Sequence, residues 1–157
     1  MVAAACIHRG DLVLDVGAGS GAITEPLVRA GARVVAVELH GRRARDLRSR
    51  FAGQPVKVVQ ADASDLRLPG RPFRIVANPP FGISTALLRR LLTQGSHLVT
   101  ADLVLPLHVA RRWMSPRAPG AQRWARAFDS TVVARLPRHA FTPAAPMDVV
   151  VFRICRR

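Results

Sequence analysis

Residues 12–21 read LVLDVGAGSG, an apolar run that leads directly into a turn containing three glycines. The run from Leu12 to Val16 predicts a buried strand, and the helical spacing of Ile23 and Leu27 predicts a helix after the turn. Glycines at such a turn let the backbone bend tightly and approach a bound ligand. Residues 17–22 also fit the dinucleotide-binding fingerprint, with alanine in its last position. This order of strand, glycine turn and helix predicts the first unit of an α/β sheet.

The rest of the chain continues the alternation of short β-branched runs and helical stretches, which predicts mostly parallel strands. Further strands are predicted at residues 34–37, 56–59, 74–77, 101–105, 130–136 and 148–154. Helices are predicted at residues 42–51 and 108–114 and after Ser84, which is placed to act as an N-cap. A proline-rich loop is predicted at residues 141–146. Because the sequence contains no internal repeat and no low-complexity tract, we expect a single domain over residues 1–157.

Length and hydropathy fit a globular domain, with 157 residues of which 49% are hydrophobic. No apolar run reaches the roughly 18 residues of a membrane span. The first residues lack the basic start and long apolar stretch of a signal peptide. We therefore expect a cytoplasmic protein with no membrane partner.

The net charge of +14 is the strongest compositional signal. Lys57 is the single lysine, so 23 of the 24 cationic residues are arginines. A field of this sign attracts phosphate backbones, and the planar fork of arginine suits bidentate phosphate contacts. A genome rich in G and C would also raise the arginine content without any polyanionic partner. Charge thus favours a nucleic acid as partner without indicating which one.

Acidic residues follow the next two predicted strands. Glu38 ends the second strand, 21 residues after Gly17, where a carboxylate can accept both hydroxyls of an adenosine ribose. Asp62 ends the third strand, next to Ala63, where it can accept a hydrogen bond from an adenine amine. Alone, each carboxylate could simply be a solvated strand end, and Asp15 could simply accept loop amides. Their position at consecutive strand ends predicts a nucleoside-binding crevice.

Residues 78–81 read NPPF and directly follow the fourth predicted strand. An exocyclic amine is a poor nucleophile because its lone pair is delocalised into the ring. Two acceptors, the Asn78 side-chain oxygen and the Pro79 carbonyl, can draw the amine hydrogens towards tetrahedral geometry and localise that lone pair. Phe81 offers a face on which a flipped-out base can stack. The alternative is a rigid surface turn with an exposed phenylalanine. After a buried strand and a nucleoside crevice, the motif favours methylation of an amine.

With these motifs in place, the chain resembles the ribosomal RNA adenine N6-methyltransferases. This family includes the Erm macrolide-resistance enzymes and their housekeeping relatives that dimethylate small-subunit rRNA. The resemblance covers nearly the whole chain and rests on residues 15–21, Glu38, Asp62, residues 78–84, the segment Phe141-Thr142-Pro143, and Asp148. Residues 82–84 and 101–105 look most like actinobacterial Erm sequences.

The resemblance implies a Rossmann-like, class I S-adenosylmethionine-dependent methyltransferase fold. Its sheet would have seven strands, mostly parallel, with the last strand antiparallel. It further implies S-adenosyl-L-methionine as cofactor and rRNA as substrate, with 23S rRNA near the macrolide site favoured. Such an activity would confer macrolide-lincosamide-streptogramin B resistance. We expect a monomer that uses no metal.

The resemblance also assigns roles to matched residues. The residues expected to contact the cofactor are Gly17, Gly19, Glu38, Asp62, Ala63 and Asn78. The catalytic residues expected at the target base are Asn78, Pro79 and Phe81.

Three departures from the family pattern are visible. No Gln-Asn-Phe-Leu segment precedes the glycine turn, so we expect the methionine end of the cofactor site to stay open. The family's helical C-terminal RNA-binding domain has no counterpart, so we expect the catalytic domain alone. Val149 stands where the family signature has serine.

Four other functions fit part of the pattern. An Asn-Pro-Pro-aromatic motif also serves glutamine-N5 protein methyltransferases, which act on release factors, and similar chemistry serves DNA adenine methyltransferases. A nicotinamide-dependent oxidoreductase would account for the glycine turn and Glu38 but not for residues 78–81. A catalytically impaired RNA-binding fragment also stays open. Cofactor preference and methyl transfer to RNA distinguish these alternatives.

Overall fold

A computed structural model describes residues 1–141 and 145–157 of the chain. The strands are β1 (Leu12–Val16), β2 (Arg33–Glu38), β3 (Val56–Gln60), β4 (Phe73–Ala77), β5 (Leu98–Pro106), β6 (Phe128–Leu136) and β7 (Val149–Arg156). They form one seven-stranded sheet in the order β3-β2-β1-β4-β5-β7-β6. Strands β1 to β5 pair in parallel, and β7 is antiparallel to both of its neighbours. The predicted seven-stranded, mostly parallel sheet with an antiparallel last strand is confirmed.

In the described part of the chain, five α-helices accompany the sheet: α1 (Thr24–Arg29), α2 (Gly41–Arg50), α3 (Ser84–Leu91), α4 (Leu107–Met114) and α5 (Ala121–Trp124). Four of them lie where the apolar spacing predicts a helix. The short helix α5 was not predicted from the sequence. It is stabilised by burial of Trp124, whose indole Nε1 donates a hydrogen bond to the Pro119 carbonyl at 3.0 Å.

Helices cover both faces of the sheet, which gives three layers. Alternate residues of β1 show the division, since Leu14 packs in the cluster formed with α3, α4 and α5. Val13 points to the opposite face and packs with Leu27 of α1. Ala36 of β2 packs on that same face against Leu47 of α2. Burial on both faces explains why the central strands read as continuous apolar runs.

Ser84 does not have the predicted role of N-cap. The preceding 3-10 turn, Phe81–Ile83, runs directly into α3, and Ser84 is already helical with φ −53° and ψ −44°. A capping residue needs a non-helical backbone to turn its side chain back onto the helix start. The Ser84 hydroxyl is instead buried, and it has no hydrogen-bond partner among the described residues.

Strand order places two loops side by side at the carboxyl edge of the sheet. Connections from β1 lead outward to β2 and β3, whereas β4 lies on the other side of β1. In open α/β sheets, this reversal of direction opens a crevice for ligands. The loops that follow β1 and β4 are the glycine turn and the NPPF loop, so the topology brings both predicted motifs to this crevice.

Two regions of the chain need separate mention. Thr142 and Pro143 of the family-like signature lie outside the described residues. None of the helices in residues 1–141 and 145–157 combines the length and apolar character that crossing a bilayer requires.

Candidate active site

The glycine turn folds back onto the end of β2. Gly17 and Ala18 donate backbone hydrogen bonds to the Val37 carbonyl at 2.8 and 3.0 Å. Gly17, Gly19 and Gly21 adopt φ values of 76°, 56° and 87°, which non-glycine residues rarely adopt. The turn therefore depends on glycine at these positions for its shape.

The Glu38 side chain stabilises the glycine turn by accepting backbone hydrogen bonds. Its Oε2 accepts a hydrogen bond from the Gly19 amide and its Oε1 one from the His40 amide, each at 2.9 Å. Only 4% of Glu38 is exposed. Each carboxylate oxygen still has a lone pair for a further donor. The prediction placed Glu38 at the end of its strand, and the structure adds that backbone bonds fix its orientation.

Asp15 lies fully buried beneath the turn. Its Oδ2 accepts a hydrogen bond from the Thr24 hydroxyl at 2.6 Å, while its Oδ1 has no partner among the described residues. Burial raises the pKa of Asp15 from 3.8 to about 6, against the lowering effect of the Thr24 hydrogen bonds, and the negative charge of Glu38 adds to the rise. Asp15 thus places at the base of the cleft a carboxyl group whose pKa, about 6, is well above the usual range of an aspartate.

Asp62 and Ala63 lie beyond the end of β3 rather than at its last residue, because the strand ends at Gln60. Asp62 is exposed and caps a short 3-10 turn, with its Oδ1 accepting bonds from the amide and hydroxyl of Ser64, both at 2.8 Å. The backbone bond from Ser64 lowers the pKa of Asp62 most, followed by the hydroxyl bond. Both bonds go to one oxygen, so Oδ2 is the acceptor left for a ligand.

The NPPF loop touches the glycine turn. A Cβ atom built on Gly17 would lie 3.1 Å from Pro80 Cδ, 3.5 Å from Pro79 Cα and 3.6 Å from the Asn78 carbonyl oxygen. Pro79 is buried, Asn78 is exposed, and Phe81 is half-buried against the cluster that contains Val104 and Phe141. The absence of a side chain at Gly17 is therefore what lets the two loops meet.

All eight predicted site residues line one cleft of about 840 Å³. Its members from the prediction are Gly17, Gly19, Glu38, Asp62, Ala63, Asn78, Pro79 and Phe81. The volume falls within the roughly 300–1,000 Å³ of typical small-molecule sites. No group of three His, Cys, Asp or Glu side chains placed to hold a metal ion occurs in the described part of the chain.

Sequence reasoning missed several residues of the cleft. Leu39 and Arg43 line it beside Glu38, and Leu39 is 56% exposed although it is apolar. Ala145 lines the side next to Phe81 together with Phe141, which was named from the sequence only as part of the family-like signature. The available signal for Leu39 was its position directly after Glu38 in the sequence. Arg43 had none, because it is one of many arginines in α2.

The family model described as ribosomal RNA adenine dimethylase matches residues 1–157 of the chain. The chain belongs to this family. Dimethylase-family relatives include an rRNA adenine N-6-methyltransferase of Corynebacterium diphtheriae, 34% identical over 87% of this chain and 54% of the relative. The mycinamicin-resistance protein MyrB of Micromonospora griseorubida is 38% identical over 92% of this chain and 47% of its own length.

A relative named for the small ribosomal subunit is similar to a comparable degree. The probable ribosomal RNA small subunit methyltransferase A of Methanosarcina mazei is 32% identical over 100% of this chain and 59% of its own length. Among solved structures, the 23S rRNA methyltransferase ErmE superposes with a TM-score of 0.87 at 29% identity, covering 99% of this chain and 65% of that one. This dimethylase-family chain thus spans about half the length of the curated relatives it matches.

Proposed function

We propose that this chain transfers a methyl group from S-adenosylmethionine to the N6 amine of an adenine in ribosomal RNA. The contact between the glycine turn and the NPPF loop at Gly17 carries this proposal, because it brings a nucleoside-binding crevice against two amine acceptors. We further propose that residues 1–157 act as one catalytic domain and as a monomer. An rRNA substrate would place the enzyme in the cytoplasm.

The cleft fits S-adenosylmethionine in size and in the donors and acceptors it offers. Glu38 is held by two backbone amides and would accept hydrogen bonds from the ribose hydroxyls. Asp62 and the amide of Ala63, which line the same cleft, would bind the adenine. The orphaned Oδ1 of Asp15 lies at the base of the cleft, where a donor from the cofactor or a water can satisfy it. When bound, the cofactor supplies a methyl group on a positively charged sulfur, so the site needs no metal to activate it.

The chain's own residues orient the adenine amine. Asn78 is exposed at the mouth of the cleft, and its side-chain oxygen can accept one amine hydrogen while the Pro79 carbonyl accepts the other. Pro79 and Pro80 restrict the loop, so both acceptors are in place before the substrate arrives. Phe81 provides the stacking face for the flipped base. Rate enhancement then rests on positioning and on localisation of the amine lone pair.

At the finer level, we propose 23S rRNA as the substrate and resistance to macrolide-lincosamide-streptogramin B antibiotics as its consequence. The similarity to ErmE and to the mycinamicin-resistance protein supports this choice. The similarity to small subunit methyltransferases makes 16S rRNA the competing substrate. Both substrates require the same adenine chemistry, so the cleft itself does not distinguish them.

Transfer of labelled methyl groups to purified 23S and 16S rRNA, followed by mapping of the modified nucleotide, tests the proposal. We expect N6-methylated adenine in 23S rRNA. A release factor and duplex DNA offered in parallel should acquire no labelled methyl groups. Labelling of 16S rRNA alone would reject the 23S assignment. Labelling of the release factor or DNA instead of rRNA would reject the substrate class.

Glu38→Gln should weaken binding of S-adenosylhomocysteine by about 1.5–3 kcal/mol, because a charged acceptor for the ribose hydroxyls is lost. Isothermal titration calorimetry measures this loss. An analogue that lacks both ribose hydroxyls is the matched control, and its affinity should change little. An equal loss for both ligands would mean that Glu38 acts only by shaping the turn through Gly19.

Phe81→Leu should lower the methyl-transfer rate by about 5- to 150-fold, whereas Phe81→Tyr should stay active, since base stacking needs an aromatic face. Steady-state rates with saturating cofactor measure the difference. Because Phe81 also packs near Phe141, the melting temperatures of both variants must match the wild type for the comparison to hold. Equal rates for the leucine and tyrosine variants would reduce Phe81 to a packing role.

A further inference from the structure

A second cleft, of about 950 Å³, lies at the opposite edge of the sheet. It is bounded by the end of α3, by α5, by the first residue of β6 and by Arg156 near the end of β7. Arg156 bonds to the carbonyl of Leu98, the first residue of β5, whereas the active-site cleft is at the carboxyl ends of the parallel strands. The nine residues of β5 separate these edges by about 30 Å at about 3.3 Å per residue.

Four exposed arginines line this second cleft, which we call the arginine cleft: Arg89, Arg123, Arg126 and Arg156. Its lining contains no aspartate or glutamate. Within residues 1–141 and 145–157, none of these four arginines forms a salt bridge, whereas most carboxylates elsewhere pair with an arginine. Positive charge in the arginine cleft is therefore unopposed, and it attracts an anion.

Arg156 is already fixed in position. Its Nε donates to the Leu98 carbonyl at 2.8 Å and its Nη2 to the Ser96 carbonyl. The guanidinium also stacks over the Phe128 ring, with 4.6 Å between Cζ and the ring centroid. These contacts fix the plane of the guanidinium while its Nη1 stays available. An arginine held in this way loses little side-chain entropy when it binds an anion.

The wall of the arginine cleft is rigid as well. Trp113 and Trp124 pack with ring centroids 6.0 Å apart, and both are buried. The Trp124 indole is further bonded to the Pro119 carbonyl. Arg123 and Arg126 flank Trp124 in the sequence, so two of the free arginines project from this fixed frame. The packing therefore fixes the segment from which Arg123 and Arg126 extend into the cleft.

We propose that the arginine cleft binds the sugar–phosphate backbone of the RNA substrate about 30 Å from the target adenine. This inference rests on the proposed function for the identity of the partner. Guanidinium forks match the paired oxygens of a phosphodiester, and the absence of carboxylates suits a ligand that brings one negative charge per nucleotide. Contacts at both edges of the sheet fix the register of a long RNA without reading its bases.

Intrinsic fluorescence gives a local test, because Trp113 and Trp124 are the two tryptophans of the sequence and it contains no tyrosine. The probe is a 20-nucleotide oligouridylate, which has no adenine to enter the active site. We expect a saturable change in tryptophan emission. The Arg123→Ala/Arg126→Ala variant should bind roughly tenfold more weakly at 50 mM salt, with a slope of log affinity against log salt lower by about 1.4.

The matched control is Arg9→Ala/Arg33→Ala, which removes two exposed arginines that line neither cleft. It should bind oligouridylate within twofold of the wild type. Equal weakening by the two double variants would overturn the proposal in favour of a diffuse field. No change in tryptophan emission on binding, or an equal response to polyglutamate of the same length, would also overturn it. Because oligouridylate binding needs no methyl transfer, this result and the rRNA labelling result can fail independently.

Discussion

Asn78→Ala is expected to lower the methyl-transfer rate by at least about 100-fold while the protein stays folded. The substitution removes one of the two acceptors that localise the amine lone pair, and loss of one preoriented hydrogen-bonding group at a reacting centre typically costs about 10²–10³ in rate. Asn78 is exposed, and the prolines after it shape the loop, so the melting temperature should change by only a few degrees. Single-turnover rates on the accepted rRNA measure the effect.

The control for Asn78→Ala is Asn78→Asp, which keeps an acceptor oxygen at the same position. Its rate should lie between those of the wild type and the alanine variant. Affinity for S-adenosylhomocysteine should fall far less than the rate, because Glu38 and Asp62 remain. An alanine variant with the wild-type rate would remove Asn78 from the chemistry.

Asp15→Asn is expected to remove a loss of stability that the wild type shows between pH 4 and pH 8. The change in unfolding free energy from pH 4 to pH 8 should be more favourable in the variant by about 2.5 kcal/mol. The pKa of Asp15 rises from 3.8 to about 6 on folding, chiefly by burial. Between about pH 4 and pH 6, the carboxyl group of Asp15 is therefore protonated in the folded state and ionised in the unfolded state. This contribution to stability is full below pH 4 and is lost as the pH rises through 6. A shift of about two pKa units corresponds to about 3 kcal/mol in full, of which about 2.5 kcal/mol falls between pH 4 and pH 8 because the unfolded-state carboxyl is already partly ionised at pH 4.

Urea unfolding at pH 4 and pH 8 measures the effect of Asp15→Asn as a difference of differences. A constant cost of the amide, such as an altered bond to Thr24, cancels in this comparison. Asp46→Asn removes an exposed carboxylate on α2 and provides the reference for loss of one negative charge. If the two variants changed equally between the two pH values, burial of Asp15 would not be the source of the effect.

Local patterns in the sequence were sufficient for most of the fold. The strand over residues 12–16 was predicted with its observed bounds, and the other strands overlap their predictions, because β-branched runs and helical apolar spacing are local signals. The short helix α5 lacks such a signal and depends on the burial of Trp124. Ser84 was assigned a capping role because the 3-10 turn before it could not be seen from its own residue type.

The candidate site likewise has features that the sequence predicts and features that it does not. Part of its lining was predictable, since Glu38 ends β2, Asn78 directly follows β4, and these strand ends meet at one edge of a parallel sheet. Its physical state was not, because it depends on contacts between distant residues. The clamp of Glu38 onto the Gly19 amide and the raised pKa of Asp15 both arise only after the turn has closed over them. The arginine cleft joins three helices and two strands, and no short motif marks it.

The contact at Gly17 has a consequence for how robust the alignment of the reactants is. The spacing between the glycine turn and Pro80 is limited by steric packing and not by an ion pair, since a Cβ added at Gly17 would lie only 3.1 Å from Pro80 Cδ. Steric contacts are insensitive to ionic strength, whereas the attraction of arginines for phosphate is strongly screened. In the proposed reaction, binding of the RNA and alignment of its amine with the methyl donor would thus depend on different kinds of force. A high salt concentration would release the RNA but would leave the glycine turn and the NPPF loop in the same relative position.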